Sequence, residues 1–124
     1  MTTLLSMDFG FCAAHQLPES NQRCKRRHGH NYKLRVTLTG KPDPKTGMII
    51  DFYSLQEIVE EHVLSLLDHR DLNEILENPT AELIVGWIWN RLAPKLPGLH
   101  ELTLWEVDDC FVTFRGPEQE PNDV

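Results

Sequence analysis

Hydrophobic and polar residues alternate along two stretches near the N-terminus, which is the pattern of a half-buried strand. Residues 2–14 alternate loosely, and residues 31–40 alternate clearly. In the clearer stretch one face carries Tyr32, Leu34, Val36 and Leu38, and the other carries Lys33, Arg35, Thr37 and Thr39. His28 and His30 have the parity of the apolar row. If the strand begins early enough, both imidazoles are therefore expected to point toward the apolar side.

The middle of the chain repeats apolar residues at helical spacing and predicts two helices. The first is predicted to begin near Asp51 or Ser54, since Ser54 and Glu57 have the spacing of a capping box. Its predicted apolar face is Leu55, Ile58, Val59, His62, Val63 and Leu66. The second is predicted to begin after Thr80, a good N-cap residue, with Glu82 in its first turn. Its apolar stripe, interpreted as core, is Leu83, Ile84, Trp87, Ile88 and Leu92.

Two further strands are predicted after the helices, at residues 101–107 and 110–115, joined by a tight Asp-Asp turn. This order predicts an α+β fold: a four-stranded antiparallel sheet in β-β-α-α-β-β order with the helix pair on one face. Residues 1–116 are expected to form this single domain, and the polar segment 117–124 a disordered tail. Four strands cannot close a barrel alone, and open sheet edges tend to pair, so we expect self-association.

Composition narrows the class of protein. The 124 residues suit one domain, and no apolar run approaches the length of a membrane helix. The N-terminus lacks the basic and apolar regions of a signal peptide, so we expect a cytoplasmic protein with no membrane partner. The net charge of −7 argues against nucleic acid as a partner. The three cysteines form no disulfide framework, and Cys12 and Cys110 are expected to be small core residues.

Histidines supply the strongest chemical signal, with His15 followed by the pair His28-Gly29-His30. Alternate strand positions project to the same face, so His28 and His30 can share one ion. Together with His15 they make a three-histidine set, the arrangement that holds zinc while leaving a coordination position open. A pair of surface or half-buried histidines without a metal is the alternative that these residues alone leave open.

A basic patch surrounds one cysteine, because Cys24 is flanked by Arg23, Lys25, Arg26 and Arg27. Neighbouring cations favour the thiolate, which works as a nucleophile, base or ligand; a cysteine in a solvated loop is the alternative. On an acidic chain, a basic patch beside a candidate metal site indicates an anionic small substrate such as a phosphate ester. A solvated basic loop is the alternative for the patch.

The adjacent pair Asp68-His69 follows the first predicted helix. A carboxylate beside an imidazole can steer its tautomer and assist proton transfer, although adjacent residues need irregular backbone to interact. The alternative is that Asp68 and His69 are simply polar residues at the end of a helix, and this pair considered alone favours that alternative.

Glu106 shares a strand face with Leu102 and Leu104. We therefore expect a partly buried carboxylate, able to accept hydrogen bonds from two adjacent N–H groups of a ligand. An exposed glutamate at a strand end is the alternative.

Together these residues resemble the 6-pyruvoyl-tetrahydropterin synthase / 6-carboxytetrahydropterin synthase family. The matching segments are residues 11–15 (FCAAH), Cys24 with residues 28–32 (HGHNY), 47–52 (GMIIDF), 67–69 (LDH), 72–73 (LN), 78–82 (NPTAE) and 105–106 (WE). Each segment is weak evidence alone, but the ordered set spans nearly the whole domain and is specific.

The resemblance implies the tunnelling fold, in which protomers join their sheets around a central barrel as trimers, commonly stacked into hexamers. It implies zinc held by His15, His28 and His30, proton transfer by Cys24, Asp68 and His69, and a pterin ring anchored by Glu106. The family substrate is 7,8-dihydroneopterin triphosphate, an anion that suits the basic patch.

The spacing between Cys24 and His28 is similar to that of the bacterial 6-carboxytetrahydropterin synthases of the queuosine pathway. This subgroup implies formation of 6-carboxy-5,6,7,8-tetrahydropterin with release of acetaldehyde and triphosphate. One rival is the pyruvoyl synthase reaction, which keeps all carbons; another is a structural zinc site closed by Cys24. Two departures from the family stand out: Cys12 replaces a usual serine, and Val107-Asp108 follows Glu106 where threonine is common.

Overall fold

A computed structural model describes residues 2–19 and 25–118, and its centre is one twisted sheet. The strands are β1 (Thr3–His15), β2 (His28–Gly40), β3 (Arg70–Asp71), β4 (Leu99–Val107) and β5 (Cys110–Phe114). Their order across the sheet is β3-β1-β2-β4-β5. The long pairings are antiparallel, as the strand pattern predicts.

The sheet has five strands and not the expected four, because the short strand β3 was not predicted. β3 runs parallel to β1, with Ala13 beside Arg70 and Ala14 beside Asp71. Two residues are too few to show the alternation that reveals a strand in sequence. The added strand places residues 68–71 along the edge of β1.

The first helix, α1, occupies residues 52–67 and has a π-helical turn at its centre. It comprises an α-helical segment Phe52–Val59, the π turn Glu60–Leu64 and a final α-helical segment Ser65–Leu67. The Asp51 side chain accepts a hydrogen bond from the Tyr53 N–H at 2.7 Å and caps the helix. The capping box at Ser54 is therefore wrong, because Ser54 already lies inside the first turn.

The π turn also changes which residues α1 buries. Leu55, Val59, Val63 and Leu67 are buried at a regular spacing of four. Because a π turn inserts an extra residue, Leu67 rather than the expected Leu66 reaches the core, and Leu66 is exposed.

The second helix, α2 (Ala81–Leu92), begins where the sequence predicts. The Thr80 side chain accepts a hydrogen bond from the Leu83 N–H at 3.2 Å. Ile84, Ile88 and Leu92 are buried as expected. Leu83 is exposed instead of buried, and Val85 takes its place in the core.

The hydrophobic core lies between one face of the sheet and the two helices. The sheet contributes Phe9, Phe11, Tyr32, Leu34, Val36, Leu102 and Leu104.

The other face of the sheet is left uncovered in this protomer. Cys12 points to that face and Cys110 begins the edge strand, so both are exposed and the expectation that they are core residues is wrong. In the described ranges, no helix has the length and apolar character needed to cross a membrane.

Candidate metal centre and active site

The pairing of β1 with β2 brings three imidazoles together at one end of the sheet. His15 lies directly opposite His28, and Ala13 lies opposite His30. All three histidines therefore project to the side covered by the helices, as strand parity predicts. One ring nitrogen from each lies within 4.8 Å of the others.

Backbone carbonyls orient two of these rings. His15 Nδ1 lies 2.8 Å from the carbonyl oxygen of Pro79, and His28 Nδ1 lies 2.7 Å from that of Arg26. A carbonyl only accepts, so each Nδ1 carries the proton and each neutral ring keeps a lone pair on Nε2. A hydrogen bond of this kind commonly holds the rings of metal-bound histidines.

The two Nε2 atoms then face each other at 3.0 Å. Two lone pairs at this separation repel, whereas a cation between them would bind both. The donor set therefore fits a metal ion, and imidazole nitrogen is a preferred ligand for zinc and its neighbours.

His30 completes the group and is also in a state suited to a ligand. Its Nε2 is buried without a hydrogen-bond partner in the described structure. Burial lowers the pKa of His30, and the nearby Glu106 carboxylate only partly opposes this effect. His30 is therefore neutral at physiological pH. Among the described residues, the group contains these three histidines and no fourth ligand.

Tyr32 forms the floor beneath the imidazoles. Its ring stacks on Phe11 at 4.9 Å, and its hydroxyl lies 3.3 Å from His15 Nδ1. Burial raises the pKa of Tyr32 well above its usual value, so the phenol stays neutral. The sequence pattern showed Tyr32 only as a core residue and gave no sign of this contact.

Glu106 lies on the same face as the histidines. Its Oε1 is 3.4 Å from His30 Nε2, and its side chain is 24% exposed, as the predicted partial burial requires. It lines a cavity of about 350 Å³ together with Glu82 and Asp109, beside the start of α2. A ligand entering this cavity therefore meets the Glu106 carboxylate, which is itself in contact with His30.

Asp68 and His69 lie at the edge of β1, outside the histidine group. The His69 N–H donates to the Cys12 carbonyl at 2.6 Å, and the Cys12 N–H donates to Asp68 Oδ1 at 2.9 Å. His69 has a left-handed φ of 59°, which is the irregular backbone that this adjacent pair needs. His69 Nε2 then lies 3.6 Å from Asp68 Oδ2, while the imidazole remains 80% exposed.

The basic patch is only partly described. Arg23 and Cys24 lie outside the described residues, so their predicted roles stay predictions. Lys25, Arg26 and Arg27 are exposed, and Arg27 forms an ion pair with Asp71. Arg26 contributes its backbone carbonyl to His28, a role that no side-chain pattern could reveal.

Comparisons with known proteins agree with this geometry. The sequence model of one family, described as 6-pyruvoyl tetrahydropterin synthase, matches residues 4–117. The 6-carboxy-5,6,7,8-tetrahydropterin synthase of Synechocystis is 34% identical over 125 residues, covering 95% of this chain and 97% of that protein. The dihydroneopterin monophosphate aldolase of Pyrococcus furiosus is 42% identical over 88 residues, covering 68% and 75%.

A solved structure gives the same result for the fold. The 6-pyruvoyl tetrahydropterin synthase of Caenorhabditis elegans superimposes with a TM-score of 0.87 at 26% identity, covering 94% of this chain and 97% of that one. The sheet and helix pair are thus those of the tunnelling fold. The chain therefore belongs to the 6-pyruvoyl tetrahydropterin synthase family of enzymes.

Proposed function

We propose that the protein is a zinc-dependent lyase. It converts 7,8-dihydroneopterin triphosphate and one water molecule to 6-carboxy-5,6,7,8-tetrahydropterin, acetaldehyde and triphosphate. The observation that carries this proposal is the group of three converging imidazoles beside the Glu106 carboxylate. The similarity to the Synechocystis synthase over nearly the whole chain favours the carboxy product.

His15, His28 and His30 would hold the zinc ion, since their ring nitrogens converge and two of them are oriented by carbonyls. When bound, zinc supplies a Lewis acid that polarises hydroxyl groups of the substrate side chain. Three protein ligands would be the number typical of a catalytic zinc site.

Glu106 would hold the pterin ring. A carboxylate accepts two parallel hydrogen bonds from adjacent N–H groups, and the amino-pyrimidinone edge of a pterin presents such a pair. The partial burial of Glu106 reduces competition from water and so strengthens these bonds.

Proton transfer would involve Cys24, Asp68 and His69. Cys24 as thiolate would remove a proton, and His69, oriented by Asp68, would act as the partner acid or base. His69 is 80% exposed at the edge of β1 and is not one of the three converging histidines. We therefore infer that it serves the site of a neighbouring copy in a homotrimer or hexamer.

Features of the sheet also support the proposal of self-association. The two-residue β3 and the five-residue β5 form its edges, and one broad face is uncovered in the protomer. Edges and faces of this kind are commonly paired or covered in assemblies.

We also propose that the enzyme acts in the cytoplasm and that its product enters 7-deazapurine (queuosine) biosynthesis.

The test is product analysis. Purified zinc-loaded protein is incubated with 7,8-dihydroneopterin triphosphate, and the products are identified by mass spectrometry. Acetaldehyde with a carboxylated pterin is the expected result. A pyruvoyl pterin without carbon loss would assign the protein to the pyruvoyl synthase branch, and absence of turnover would favour a non-catalytic zinc protein.

A second activity is favoured by one comparison. The Pyrococcus relative is named a dihydroneopterin monophosphate aldolase and shares 42% identity over its matched region. The same assay with the monophosphate substrate distinguishes this activity, because an aldolase would cleave the monophosphate at least as well as the triphosphate.

A further inference from the structure

Residues 71–73, at the end of β3, contact both ends of the chain segment that joins two of the three converging histidines. That segment begins directly after His15 and ends directly before His28. We propose that Asp71 and Asn73 are positioning residues of the metal centre, which hold the backbone beside the two carbonyls that orient these rings. The inference rests on the metal centre of the proposed function and names the residues that keep its ligands in place.

The amide of Asn73 holds the backbone that follows His15. The Gln16 N–H donates to Asn73 Oδ1 at 2.8 Å, and Asn73 Nδ2 donates to the Gln16 carbonyl at 2.9 Å. The parallel pairing of β1 with β3 places Ala14 beside Asp71, so Gln16 and Asn73 continue the same register. Both residues are partly buried, which reduces competition from water for these two bonds.

The same amide also contacts the segment that orients the His15 ring. Asn73 Nδ2 donates to the Glu77 carbonyl at 3.4 Å. Glu77 lies two residues before Pro79, whose carbonyl accepts a hydrogen bond from His15 Nδ1 at 2.8 Å. One side chain therefore connects the residue after His15 with the segment that supplies the acceptor for its ring. A shift of either segment would move the ring nitrogen that faces the metal.

Asp71 acts at the other end of the joining segment. Its carboxylate pairs with the Arg27 guanidinium. The residue before Arg27 is Arg26, whose carbonyl accepts a hydrogen bond from His28 Nδ1 at 2.7 Å. The second oxygen of Asp71 accepts a hydrogen bond from the Asn73 N–H at 3.1 Å, so the two ends are coupled. The ion pair is partly exposed, and we expect it to contribute less than the Asn73 amide.

The positioning residues are themselves fixed by the core. Leu72, between them, is buried. Residues 72–74 form a short 3₁₀ turn that the Asp71 side chain caps. A segment anchored in this way holds the ends of β1 and β2 in one arrangement before a metal binds. Ligands that are already in place lose less conformational freedom on binding, and this raises metal affinity.

The experiment compares the zinc affinity of Asn73→Ala with that of Asp43→Ala, measured by competition with a chelating dye. Asp43 Oδ1 also accepts two backbone hydrogen bonds, from the N–H groups of Lys45 and Thr46. It follows β2 at the end away from His28, which makes it a matched control. Asn73→Ala is expected to bind zinc about tenfold or more weakly, as for loss of an outer partner of a metal site. Asp43→Ala is expected to bind zinc as the parent protein does.

Two further measurements distinguish positioning from a general loss of stability. At saturating cobalt(II), the visible absorption spectrum reports the geometry of the metal ligands, and it is expected to change in Asn73→Ala but not in Asp43→Ala. Urea unfolding of the metal-free proteins gives the stability that each variant loses. Lower stability of Asn73→Ala with unchanged zinc affinity and an unchanged cobalt spectrum would overturn the inference.

Asp71→Asn tests the other positioning residue and also carries the test if Asn73→Ala does not fold. It neutralises the partner of Arg27 and keeps an oxygen that accepts from the Asn73 N–H. Zinc affinity is expected to fall about two- to fivefold, the range of a partly solvated ion pair. The loss should shrink at high salt, which screens such a pair. Parent affinity at low salt would overturn the role of Asp71.

The outcomes also separate this inference from the proposed function. Equal zinc affinity in the parent protein, Asn73→Ala and Asp71→Asn would overturn the inference and leave the lyase unaffected. Zinc binding that depends on Asn73, without turnover of dihydroneopterin triphosphate, would support the inference and contradict the lyase. Absence of zinc binding by the parent protein would contradict the metal centre itself, and with it both proposals.

Discussion

The Nε2 atoms of His15 and His28 lie 3.0 Å apart, and the Nδ1 of each ring is bound to a backbone carbonyl. This relationship defines the tautomer of both rings and turns two lone pairs toward one point. The packing of β1 against β2 creates it, because the antiparallel register places the two residues opposite each other.

The first prediction follows from this pair. His28→Ala removes one of three converging nitrogens and is expected to lower zinc affinity by at least about a hundredfold, more than loss of an outer-shell contact. Metal content is measured by plasma mass spectrometry after dialysis. His69→Ala is the matched control, since His69 lies outside the group and its removal should leave the metal in place while turnover falls. Retention of stoichiometric zinc by His28→Ala would contradict the assignment.

The second prediction concerns Cys24. Cys24→Ala is expected to retain zinc and to lose turnover by roughly 10²–10⁴-fold, the usual contribution of a general base. Rate and metal content are measured on the same preparation. An unchanged rate would remove Cys24 from the reaction, and loss of the metal would indicate that its sulfur is a ligand.

The third prediction concerns the pterin anchor. Glu106→Ala removes a partly buried carboxylate and is expected to weaken neopterin binding about 10- to 100-fold, since hydrogen bonds to charged groups contribute about 1.5–3 kcal/mol. Calorimetry gives the affinity. Glu101→Ala, on the same strand but paired with Arg115, should bind neopterin normally. Equal affinity in both variants would place the pterin elsewhere.

The fourth prediction is that the free energy of unfolding depends on pH through Asp8, which lies on the uncovered face of the sheet. A hydrogen bond from Arg35 lowers the pKa of Asp8 below its usual value, assisted by the charges of Arg35 and Lys33. A carboxyl whose pKa is lower in the folded state stabilises the fold above its unfolded pKa of about 3.9, and this stabilisation is lost as pH falls through the folded pKa.

Asp8→Asn removes that contribution. At neutral pH its free energy of unfolding is expected to be lower than that of the parent protein by about 1 kcal/mol or less, because the pair is solvated. The difference should vanish in strong acid. Urea unfolding at several pH values measures it, with Asp108→Asn in the exposed β4–β5 turn as the control. A difference independent of pH would contradict the ion-pair explanation.

Residues with a strict periodic pattern could be placed from sequence. Alternation along β2 placed His28 and His30 on the helix-covered face, and the hydroxyl of Thr80 marked the start of α2. These features depend on local geometry, because neighbouring residues in the sequence determine which face a strand residue occupies and which residue caps a helix. Alternation along β4 likewise explains the partial burial of Glu106, which shares a face with Leu102 and Leu104.

Features that depend on tertiary contacts could not be placed in this way. β3 exists only because the backbone of Arg70 and Asp71 meets the edge of β1. The π turn in α1 moves burial from Leu66 to Leu67, and apolar spacing alone predicts the unperturbed helix. The carbonyl of Pro79 contacts His15 across a large sequence separation and carries no side-chain signal.

X-ray absorption at the zinc edge tests the central claim most directly, because it reports the atoms bound to the metal. Three imidazole nitrogens at about 2.0–2.1 Å with a remaining oxygen scatterer, and no sulfur, are expected for a site open to substrate. Adding a pterin with side-chain hydroxyls should change only the oxygen contribution. A sulfur scatterer at about 2.3 Å would show that Cys24 closes the site, and would contradict the account of a catalytic centre.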